Sequence, residues 1–549
     1  MNSVVTSSEM RAIEACAVER GATWQGLMER AGAEVARHAI EWLGLESKQP
    51  VLVLAGPGNN GGDALVVARH LSDHGWSVIV RAWSRKLNDS HLLEPLAERG
   101  IEISPIVGSA SMEELGTRLE ECTVVIDGLL GTGIKRDVDG ELAEIVDMVQ
   151  RSGRRIVAID IPTGVDSDTG AVRGHALSAR MTVALGSLKY GHVLHPGKSL
   201  AGDIILGDIG LSDTKQEIAS GELLTEAEVK RLLPPRPDDG NKGTFGKVMV
   251  VAGSVNYIGA AALATQGAMR VGAGLATLAT PGDLLPMLGA KLTECTFLPL
   301  PSDFGVIASH GAEKVRTGLE GYDALLVGCG IGKEKETATF LRNLLANSDA
   351  HVRPSARPIG FSARVSVDTD RSEDGHTKLP PLVLDGDALN IISEWEEWDK
   401  TIPQGSVLTP HPGEMARLTG STVDDVQADR VGVARDAAAR WKCIVVLKGA
   451  ATVIADPGGK VYISPFSNPA LATAGTGDVL AGAIAGLIAQ GIGGVDAACA
   501  GVYLHGLAGE MLREDYGPAG GLAGDLPVLL ARAQKSVRDS GATKEAKNS

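Results

Sequence analysis

The sequence is poor in bulky aromatic residues and in cysteine, and acidic residues outnumber basic ones. Phe, Trp and Tyr make up 3% of the 549 residues, whereas there are 69 glycines. The six cysteines form no CxxC pair, which argues against a zinc ribbon or a redox dithiol. The formal net charge of −16 argues against a nucleic-acid or anionic-membrane partner, because such ligands are bound by clustered Lys and Arg. This composition is typical of α/β domains with many tight turns.

A targeting signal and a membrane span are also lacking. The first residues contain no basic segment followed by an apolar one, so we expect no signal peptide. The apolar stretch 479–492 is shorter than a membrane span and is interrupted by glycines, which favours a buried helix. We therefore expect a soluble, cytoplasmic protein.

Strand-like and helix-like segments alternate in both halves of the chain. Residues 8–44 show helical spacing of apolar side chains. Continuous apolar runs then predict strands that are covered on both faces, as in parallel sheets. These runs are 51–56, 76–83, 122–130 and 155–162 in the first half, and 247–254, 276–280, 324–330, 381–387, 406–411, 443–449 and 451–456 in the second half. The pattern predicts two doubly wound α/β domains.

The domain boundary is expected where the sheet pattern stops, between residues 211 and 243, in a stretch rich in charge and proline. We expect an N-terminal domain over 1–215, a linker over 216–224 and a C-terminal domain over 225–535. Residues 350–379 lack clear periodicity and are expected to be an inserted surface loop. Residues 536–549 are expected to be a flexible tail.

A glycine-rich turn, GPGNNGGD, follows the first predicted strand at 56–63. Asp127 and Asp160 end two further predicted strands, and Thr163 follows shortly after. Because the carboxyl ends of parallel strands meet at one edge of a sheet, these oxygens suit a hard cation or a proton transfer. The turn is neither a Walker A loop nor a GxGxxG fingerprint. It indicates a nucleotide-like ligand, and the alternative is that strand-end Asp residues merely cap helices.

A second glycine-rich turn, AGTGD at 474–478, opens an apolar run in the other half. Gly475, Thr476 and Gly477 can present successive N–H groups to an anion at a helix start. Asp478 follows directly, within reach of a hydroxyl group that accepts a phosphoryl group. The alternative is a helix N-terminus whose Asp simply favours the dipole.

The segments GPGNNGGDALVVARHL, VIDGLLGTG, AIDIPTGVD and GSLKYGH resemble the NAD(P)H-hydrate epimerase family over about residues 5–215. The resemblance implies a Rossmann-like domain in which Asn60, Asp127 and Thr163 hold K⁺. It implies that the hydrated dinucleotide is contacted by Asn59, Asn60, Gly61, Gly62, Asp63, Gly131, Thr132, Gly133, Ile134, Lys135, Arg136, Asp137 and Asp160. We expect Asp160 to move the proton as the R and S configurations exchange at ring carbon C6. Lys189 is either a second catalytic group or a surface lysine.

The segments KGTFGKVMVVAGS, LDGDALN, TPHPGEMARL, VLKGAAT and NPALATAGTGDVLAG resemble the NAD(P)H-hydrate dehydratase family of the ribokinase-like superfamily. The match covers about 225–535 without the insert. The resemblance implies that Asp478 deprotonates the ring hydroxyl group, and that Mg²⁺ accompanies ADP. The implied nucleotide contacts are Lys448, Gly449, Ala450, Ala451, Thr452 and Gly477. The implied contacts to the hydrated dinucleotide are Ala260, Gly330, His411 and Asp478. For His411 the alternative is a satisfied strand-end histidine.

Together the resemblances imply a bifunctional enzyme, and we expect it to form a homo-oligomer. It would epimerise R- and S-NAD(P)H hydrate and dehydrate the S form with ADP, releasing AMP and phosphate. The alternative is a ribokinase-like kinase for a small alcohol or vitamin precursor, with a non-catalytic nucleotide-binding N-terminal module.

Overall fold

The chain folds into two compact units. The computed structural model describes residues 2–43, 50–87, 89–211, 218–346 and 379–540. One unit is formed by Asn2–Glu222, and the other begins at Leu223. Each unit is built on a largely parallel sheet, so the predicted pair of doubly wound α/β domains is confirmed.

The N-terminal unit alternates strands with helices. Its strands are β1 (Asn2–Val5), β2 (Val51–Ala55), β3 (Val78–Trp83), β4 (Ile103–Ile106), β5 (Val124–Gly128), β6 (Arg155–Ile159), β7 (Met181–Leu185), β8 (Leu188–Lys189) and β9 (Asp203–Gly207), and β10 (Gly221–Leu223) lies at the unit boundary. Its helices are α1 (Ser7–Glu19), α2 (Trp24–Leu43), α3 (Asn59–Asp73), α4 (Ser90–Ala97), α5 (Gly108–Glu121), α6 (Gly140–Arg151), α7 (Tyr190–Val193) and α8 (Gly197–Leu200).

The N-terminal sheet has seven parallel strands in the order β4-β3-β2-β5-β6-β7-β9. Counted from β2, the first six follow the Rossmann order 3-2-1-4-5-6, whose switch point lies between β2 and β5. Val51, Val53 and Ala55 of β2 pack into one apolar core, and Leu52 and Leu54 pack into another on the opposite face. Burial on both faces explains the continuous apolar run of β2.

The C-terminal unit is larger. Its strands are β11 (Lys247–Val251), β12 (Leu275–Pro281), β13 (Thr296–Leu300), β14 (Ser302–Asp303), β15 (Val306–Ile307), β16 (Ala324–Val327), β17 (Leu382–Leu384), β18 (Val407–Leu408), β19 (Ile444–Leu447), β20 (Val453–Ala455) and β21 (Val461–Ile463). Its helices are α9 (Glu226–Leu232), α10 (Ile258–Arg270), α11 (Leu285–Gly289), α12 (Gly311–Gly318), α13 (Lys335–Leu345), α14 (Asp387–Ile392), α15 (Trp398–Thr401), α16 (Pro412–Thr419), α17 (Val423–Ala428), α18 (Arg430–Trp441), α19 (Thr476–Ala489), α20 (Gly494–Tyr516) and α21 (Leu526–Asp539).

The C-terminal sheet runs β13-β12-β11-β16-β17-β18-β19-β20-β21. The strands from β13 to β19 are parallel, and β20 and β21 add an antiparallel edge. Helix α19 lies in the centre of the core, where nearly all its side chains are buried. Within the described parts of the chain, no helix combines the length and apolar character that crossing a membrane requires.

Several expected boundaries differ from the structure. The single helix expected over 8–44 is two helices, α1 and α2, because the chain turns at Gly21 with a φ of 109°. The expected linker 216–224 contains strand β10. Helix α21 extends to Asp539, so the expected tail at 536–549 begins inside a helix, and its part after 540 lies outside the described residues. The expected insert 350–379, except Leu379, lies outside them as well.

Candidate functional site

A cavity of about 930 Å³ opens in the N-terminal unit where β2, β5 and β6 end. This volume suits a ligand of at least drug size. Most residues predicted to contact a dinucleotide in this unit line the cavity. They are Asn59, Asn60, Asp63, Gly131, Thr132, Gly133, Ile134, Lys135, Arg136, Asp137 and Asp160, and Lys189 joins them.

Asp160 and Lys189 form a buried ion pair in this cavity. Lys189 Nζ contacts Asp160 Oδ1 and also donates to the Leu185 carbonyl at 2.8 Å. The Lys189 side chain is 0% exposed, so it is not a surface lysine. Asp160 has a φ of 62°, an unusual conformation for a residue other than glycine. Such strain persists where the surroundings hold it, which is common at functional sites.

His192 forms hydrogen bonds to the backbone of both members of this pair. The Lys189 N–H donates to His192 Nδ1 at 3.0 Å, so Nε2 carries the ring proton and donates to the Asp160 carbonyl at 2.6 Å. The pKa of His192 is lowered to about 4, mainly by burial and also by the nearby Lys189 charge. The imidazole is therefore neutral near pH 7, and its two hydrogen bonds hold the backbone of Lys189 and Asp160 in position.

Two further carboxyl groups face the pair. Burial raises the pKa of Asp63 well above its ordinary value, and the charges of Asp160 and Glu14 act in the same direction. Burial also raises the pKa of Glu14, while Lys189 opposes this shift. Both side chains line the cavity. The site thus combines an ionic carboxylate with neighbouring carboxyl groups that favour the protonated form, an arrangement suited to proton transfer.

Asp127 and Thr163 form an oxygen-rich cluster next to the cavity wall. The Thr163 hydroxyl donates to Asp127 Oδ1 at 2.7 Å, and the Thr163 N–H donates to Oδ2 at 2.8 Å. The Leu130 carbonyl accepts the Asn60 amide at 2.9 Å. Burial raises the pKa of Asp127 to about 6, although hydrogen bonds from Thr163 and Leu129 oppose the shift. Asp127 is 0% exposed, and the hydrogen-bond donors around it are all neutral.

Gly61 and Gly62 are not placed on the cavity wall. A Cβ on Gly61 would lie 2.0 Å from the Gly56 carbonyl oxygen, and a Cβ on Gly62 would lie 2.7 Å from the Met28 methyl group. These two glycines allow close packing behind the ligand cavity.

The C-terminal unit brings three ionisable groups together at strand and helix ends. Asp385 follows β17, Cys329 follows β16, and Asp478 lies in the first turn of α19. Cys329 Sγ donates to Asp385 Oδ2 at 3.6 Å. The pKa of Asp478 is raised to about 7, mainly by burial and also by the Asp385 charge. A half-buried carboxylate that binds a proton this readily is a competent general base.

Lys448 bridges the acidic groups of this unit. Its Nζ lies 2.6 Å from Asp385 Oδ1 and 3.8 Å from Glu414 Oε2. Burial lowers the pKa of Lys448, but Asp385 and Glu414 outweigh that effect, so the net shift is upward. Burial raises the pKa of Glu414 to about 7. The cation is thus fixed beside Asp478 and beside the turn that contains Gly477, whose added Cβ would lie 3.3 Å from Nζ.

His411 caps helix α16. Its Nδ1 accepts the N–H groups of Gly413 and Glu414 at 3.0 and 3.3 Å, and Glu414 in turn accepts the His411 N–H at 2.8 Å. Burial lowers the pKa of His411, and the Lys448 charge acts in the same direction. The capping interaction uses Nδ1, and the half-exposed ring stays accessible to a ligand.

The other predicted residues of this unit lie in three turns. A Cβ on Gly330 would lie 2.8 Å from the Ala260 Cβ, so these two residues are adjacent. In the turn after β19, the Thr452 hydroxyl donates to the Gly449 carbonyl at 3.0 Å. Ala451 is buried, whereas Gly449 and Ala450 are exposed. The open face of this turn is therefore mostly main chain.

Sequence reasoning missed several residues of both sites. Asp385 directly follows the apolar run of β17. An acidic residue at the end of an apolar run is the signal that indicated Asp127, so Asp385 could have been predicted in the same way. His192 and Glu14 gave no comparable signal, because their importance depends on contacts with Lys189 and Asp160.

Comparison with known proteins gives consistent matches along the chain. The family described as YjeF-related protein N-terminus matches residues 25–191, and the family described as NAD(P)H-hydrate dehydratase matches residues 248–353 and 372–530. A bifunctional NAD(P)H-hydrate repair enzyme of Thermofilum pendens is 36% identical, covering 98% of this chain and 97% of that protein. One of Moorella thermoacetica is 36% identical, covering 93% of each. The crystal structure of an ADP/ATP-dependent NAD(P)H-hydrate dehydratase from Bacillus subtilis, co-crystallised with ATP and Mg²⁺, is 30% identical, covers 57% of this chain and 97% of its own, and has a TM-score of 0.46.

Proposed function

This chain belongs to the family of bifunctional NAD(P)H-hydrate repair enzymes, and on that premise we propose how its two sites divide the work. The N-terminal unit epimerises the R and S hydrates, and the C-terminal unit dehydrates the S form with ADP. The assignment rests on the similarity to a relative of this name, which is 36% identical over nearly the full length of both chains. The ionic pair in one unit and the base–lysine cluster in the other supply the chemistry.

Asp160 and Lys189 perform the proton transfer of epimerisation in this proposal. Inverting the hydroxylated ring carbon requires the centre to be opened or ionised and then closed from the opposite face. The hydrogen bonds to Asp160 among the described side chains engage Oδ1, which leaves Oδ2 to exchange a proton with the substrate. Lys189 pairs with the carboxylate and fixes its position. The neighbouring Asp63 and Glu14 retain protons more readily and form a local proton reservoir.

Asn60, Asp127 and Thr163 fit a potassium ion. Asp127 is a buried carboxylate without a cationic donor among its hydrogen-bond partners. The Thr163 hydroxyl oxygen lies 2.7 Å from Asp127 Oδ1. The Leu130 carbonyl oxygen, which accepts the Asn60 amide, lies 3.4 Å from that hydroxyl oxygen. A bound K⁺ would supply positive charge next to the wall that faces a dinucleotide. K⁺ should raise the melting temperature of the wild-type protein relative to choline, and Asp127→Asn should abolish that response. Equal stabilisation of both proteins would contradict the assignment.

Asp478 activates the substrate hydroxyl group in the C-terminal unit. It removes the proton from the ring hydroxyl, whose oxygen then attacks the β-phosphorus of ADP while the bond to the bridging oxygen breaks and AMP leaves. The C6–O bond then breaks with release of phosphate, and the adjacent ring carbon loses a proton to restore NAD(P)H. Lys448 and the N–H groups at the start of α19 lie where they can stabilise the transferred charge. Mg²⁺ enters with the nucleotide as part of this substrate.

The test follows the reduced-nicotinamide absorbance of a mixture of R- and S-NADH hydrate. The protein is added with ADP, with ATP or without nucleotide. We expect recovery of the absorbance with ADP, together with stoichiometric AMP and phosphate. A stable phosphorylated product without recovery would indicate a kinase instead. Absence of any nucleotide-dependent change would overturn the proposal.

A further inference from the structure

Three potential metal ligands converge in the C-terminal unit. One ligand atom each from Cys329, Asp385 and Asp478 lies within 4.8 Å of the other two. Cys329 and Asp385 are buried, and Asp478 is half-buried, so Asp478 is the member of the group that solvent reaches most easily. Among the residues that the structure describes, it is the one such cluster of three or more His, Cys, Asp or Glu side chains.

The spacing matches tetrahedral coordination. Cys329 Sγ and Asp385 Oδ2 are 3.6 Å apart. A tetrahedral zinc ion with its sulfur ligand at about 2.3 Å and its oxygen ligand at about 2.0 Å separates those two atoms by about 3.5 Å. The pair therefore needs almost no movement to bind one ion. Asp478 lies in the first turn of α19, and its carboxylate oxygen lies within 4.8 Å of the other two ligand atoms, so it is the third potential ligand.

The two oxygens of Asp385 have separate partners. Oδ1 accepts from Lys448 Nζ at 2.6 Å and from the Thr409 hydroxyl at 2.7 Å. Oδ2 faces the thiol. The cation that neutralises this carboxylate therefore contacts Oδ1, and it leaves Oδ2, the oxygen that faces the sulfur, available to a metal.

The ligand chemistry selects the kind of ion. A thiolate is a soft ligand that favours zinc and related transition metals, whereas Mg²⁺ requires oxygen ligands in near-octahedral geometry. A mixed sulfur and carboxylate set with an open position resembles a zinc site that keeps one place for water or substrate. The three ligands thus favour a different metal ion from the Mg²⁺ that accompanies ADP.

We propose that Cys329, Asp385 and Asp478 bind a thiophilic divalent cation such as Zn²⁺, and that this ion inhibits the dehydratase. Binding breaks the S–H bond of Cys329, forms a metal–sulfur bond and releases the proton to solvent. The ion holds the Asp478 carboxylate and prevents it from accepting the substrate proton. The inhibition rests on the proposed role of Asp478, whereas the metal binding does not.

Co²⁺ tests the binding without reference to activity. Thiolate-bound Co²⁺ gives a sulfur-to-metal charge-transfer band in the near ultraviolet. We expect this band when the metal-free full-length protein is titrated with Co²⁺, and we expect Zn²⁺ to remove it. Cys329→Ser should lack the band. Cys443→Ser should keep it, because Cys443 is also buried but its Sγ lies 3.8 Å from the Pro403 carbonyl, outside the cluster.

Inhibition gives the second measurement. With Mg²⁺ and ADP in excess, Zn²⁺ should inhibit recovery of NADH from the S hydrate by the wild type and by Cys443→Ser. Cys329→Ser should require at least about tenfold more Zn²⁺, since losing a metal ligand costs no less than losing a residue that supports one. Circular dichroism and melting temperature show whether this variant is folded.

Two results would overturn the proposal. One is the absence of a charge-transfer band in wild type, or its persistence in Cys329→Ser. The other is equal zinc sensitivity of the folded Cys329→Ser protein and the wild type, which would mean that zinc acts on the nucleotide. Full dehydratase activity without zinc alongside either result would leave the proposed function intact.

Discussion

Lys189 has no access to solvent, and its charge is compensated by Asp160 and the Leu185 carbonyl. Breaking such a buried pair by removing one partner leaves an uncompensated charge. The pair therefore links the stability of the cavity wall to the contact between these two side chains. In the other unit Asp385 pairs with Lys448, and the Asp385 charge contributes to the raised pKa of Asp478.

Replacing Lys189 by Met should impair epimerisation selectively. Without the ammonium group the Asp160 carboxylate loses its buried partner and is no longer fixed in position, so the rate of R-to-S conversion should fall at least about 100-fold. Dehydration of the pure S hydrate should change less than about twofold, because a substitution in one unit should act independently of the site in the other unit. Lys198→Met, on helix α8 of the same unit, is the matched control. Equal loss of both activities would show a folding defect instead of a catalytic one.

His192 should make the protein sensitive to mild acid. Its pKa is about 4 in the folded state against an ordinary value of 6.5, so the unfolded chain binds the proton first as the pH falls. The stabilisation is complete above pH 6.5 and is lost progressively towards pH 4. Between pH 7 and pH 5 this histidine should cost about 2 kcal/mol of unfolding free energy.

Urea unfolding of the wild type and of His192→Gln measures this effect. The variant should lose about 2 kcal/mol less than the wild type between the two pH values. His74→Gln serves as the control, because His74 is exposed in the folded protein. The same pH dependence in the wild type and the His192 variant would contradict the neutral buried imidazole.

At the level of elements, the first turn of α3 determines how closely the chain can approach β2. A Cβ on Gly61 would lie 2.0 Å from the Gly56 carbonyl oxygen, whereas one on Gly58 would meet nothing within 4 Å. Gly61→Ala should therefore destabilise the N-terminal unit by about 3 kcal/mol through overpacking. Gly58→Ala should remain close to wild type in thermal unfolding. Similar melting curves for the two variants would show that this turn accommodates the added methyl group without loss of stability.

The strands that were predicted from the sequence carry an apolar run, and they include the short strands β17, β18 and β20, whereas β8 was not predicted. The apolar runs that became β2, β5, β6, β11, β16 and β19 carry their own pattern, because burial on both faces demands it. The two-residue strand β8 has no local pattern, and its pairing with β1 joins residues far apart in sequence. Lys189 lies on this strand, so its buried position was not predictable from its neighbours.

The same contrast applies to the sites. Glycine-rich turns and acids at strand ends are local signals, and they indicated Asn60, Asp127, Asp160 and Asp478. No local pattern indicated Cys329, and the structure places its thiol against Asp385. Pairings across strand ends depend on the order of the strands in the sheet, which the local pattern does not encode.

At the scale of the whole molecule, two units carry two clusters of ionisable groups within one chain. The ion pair of Asp160 belongs to the N-terminal unit, and the cluster around Asp478 belongs to the C-terminal one. In the proposed function each unit therefore carries out one of the two reactions. The S hydrate that the epimerase site forms from the R hydrate is the substrate of the dehydratase site.

The most direct measurement is the amplitude of NADH absorbance recovered from an R/S hydrate mixture with ADP, before the two forms equilibrate spontaneously. Wild type should recover all of it, Asp160→Asn only the S fraction, and Asp478→Asn none. An equimolar mixture of the two variants should restore full recovery, because each supplies the unit that the other lacks. Full recovery by Asp160→Asn alone, or any recovery by Asp478→Asn alone, would contradict the assignment of the two reactions.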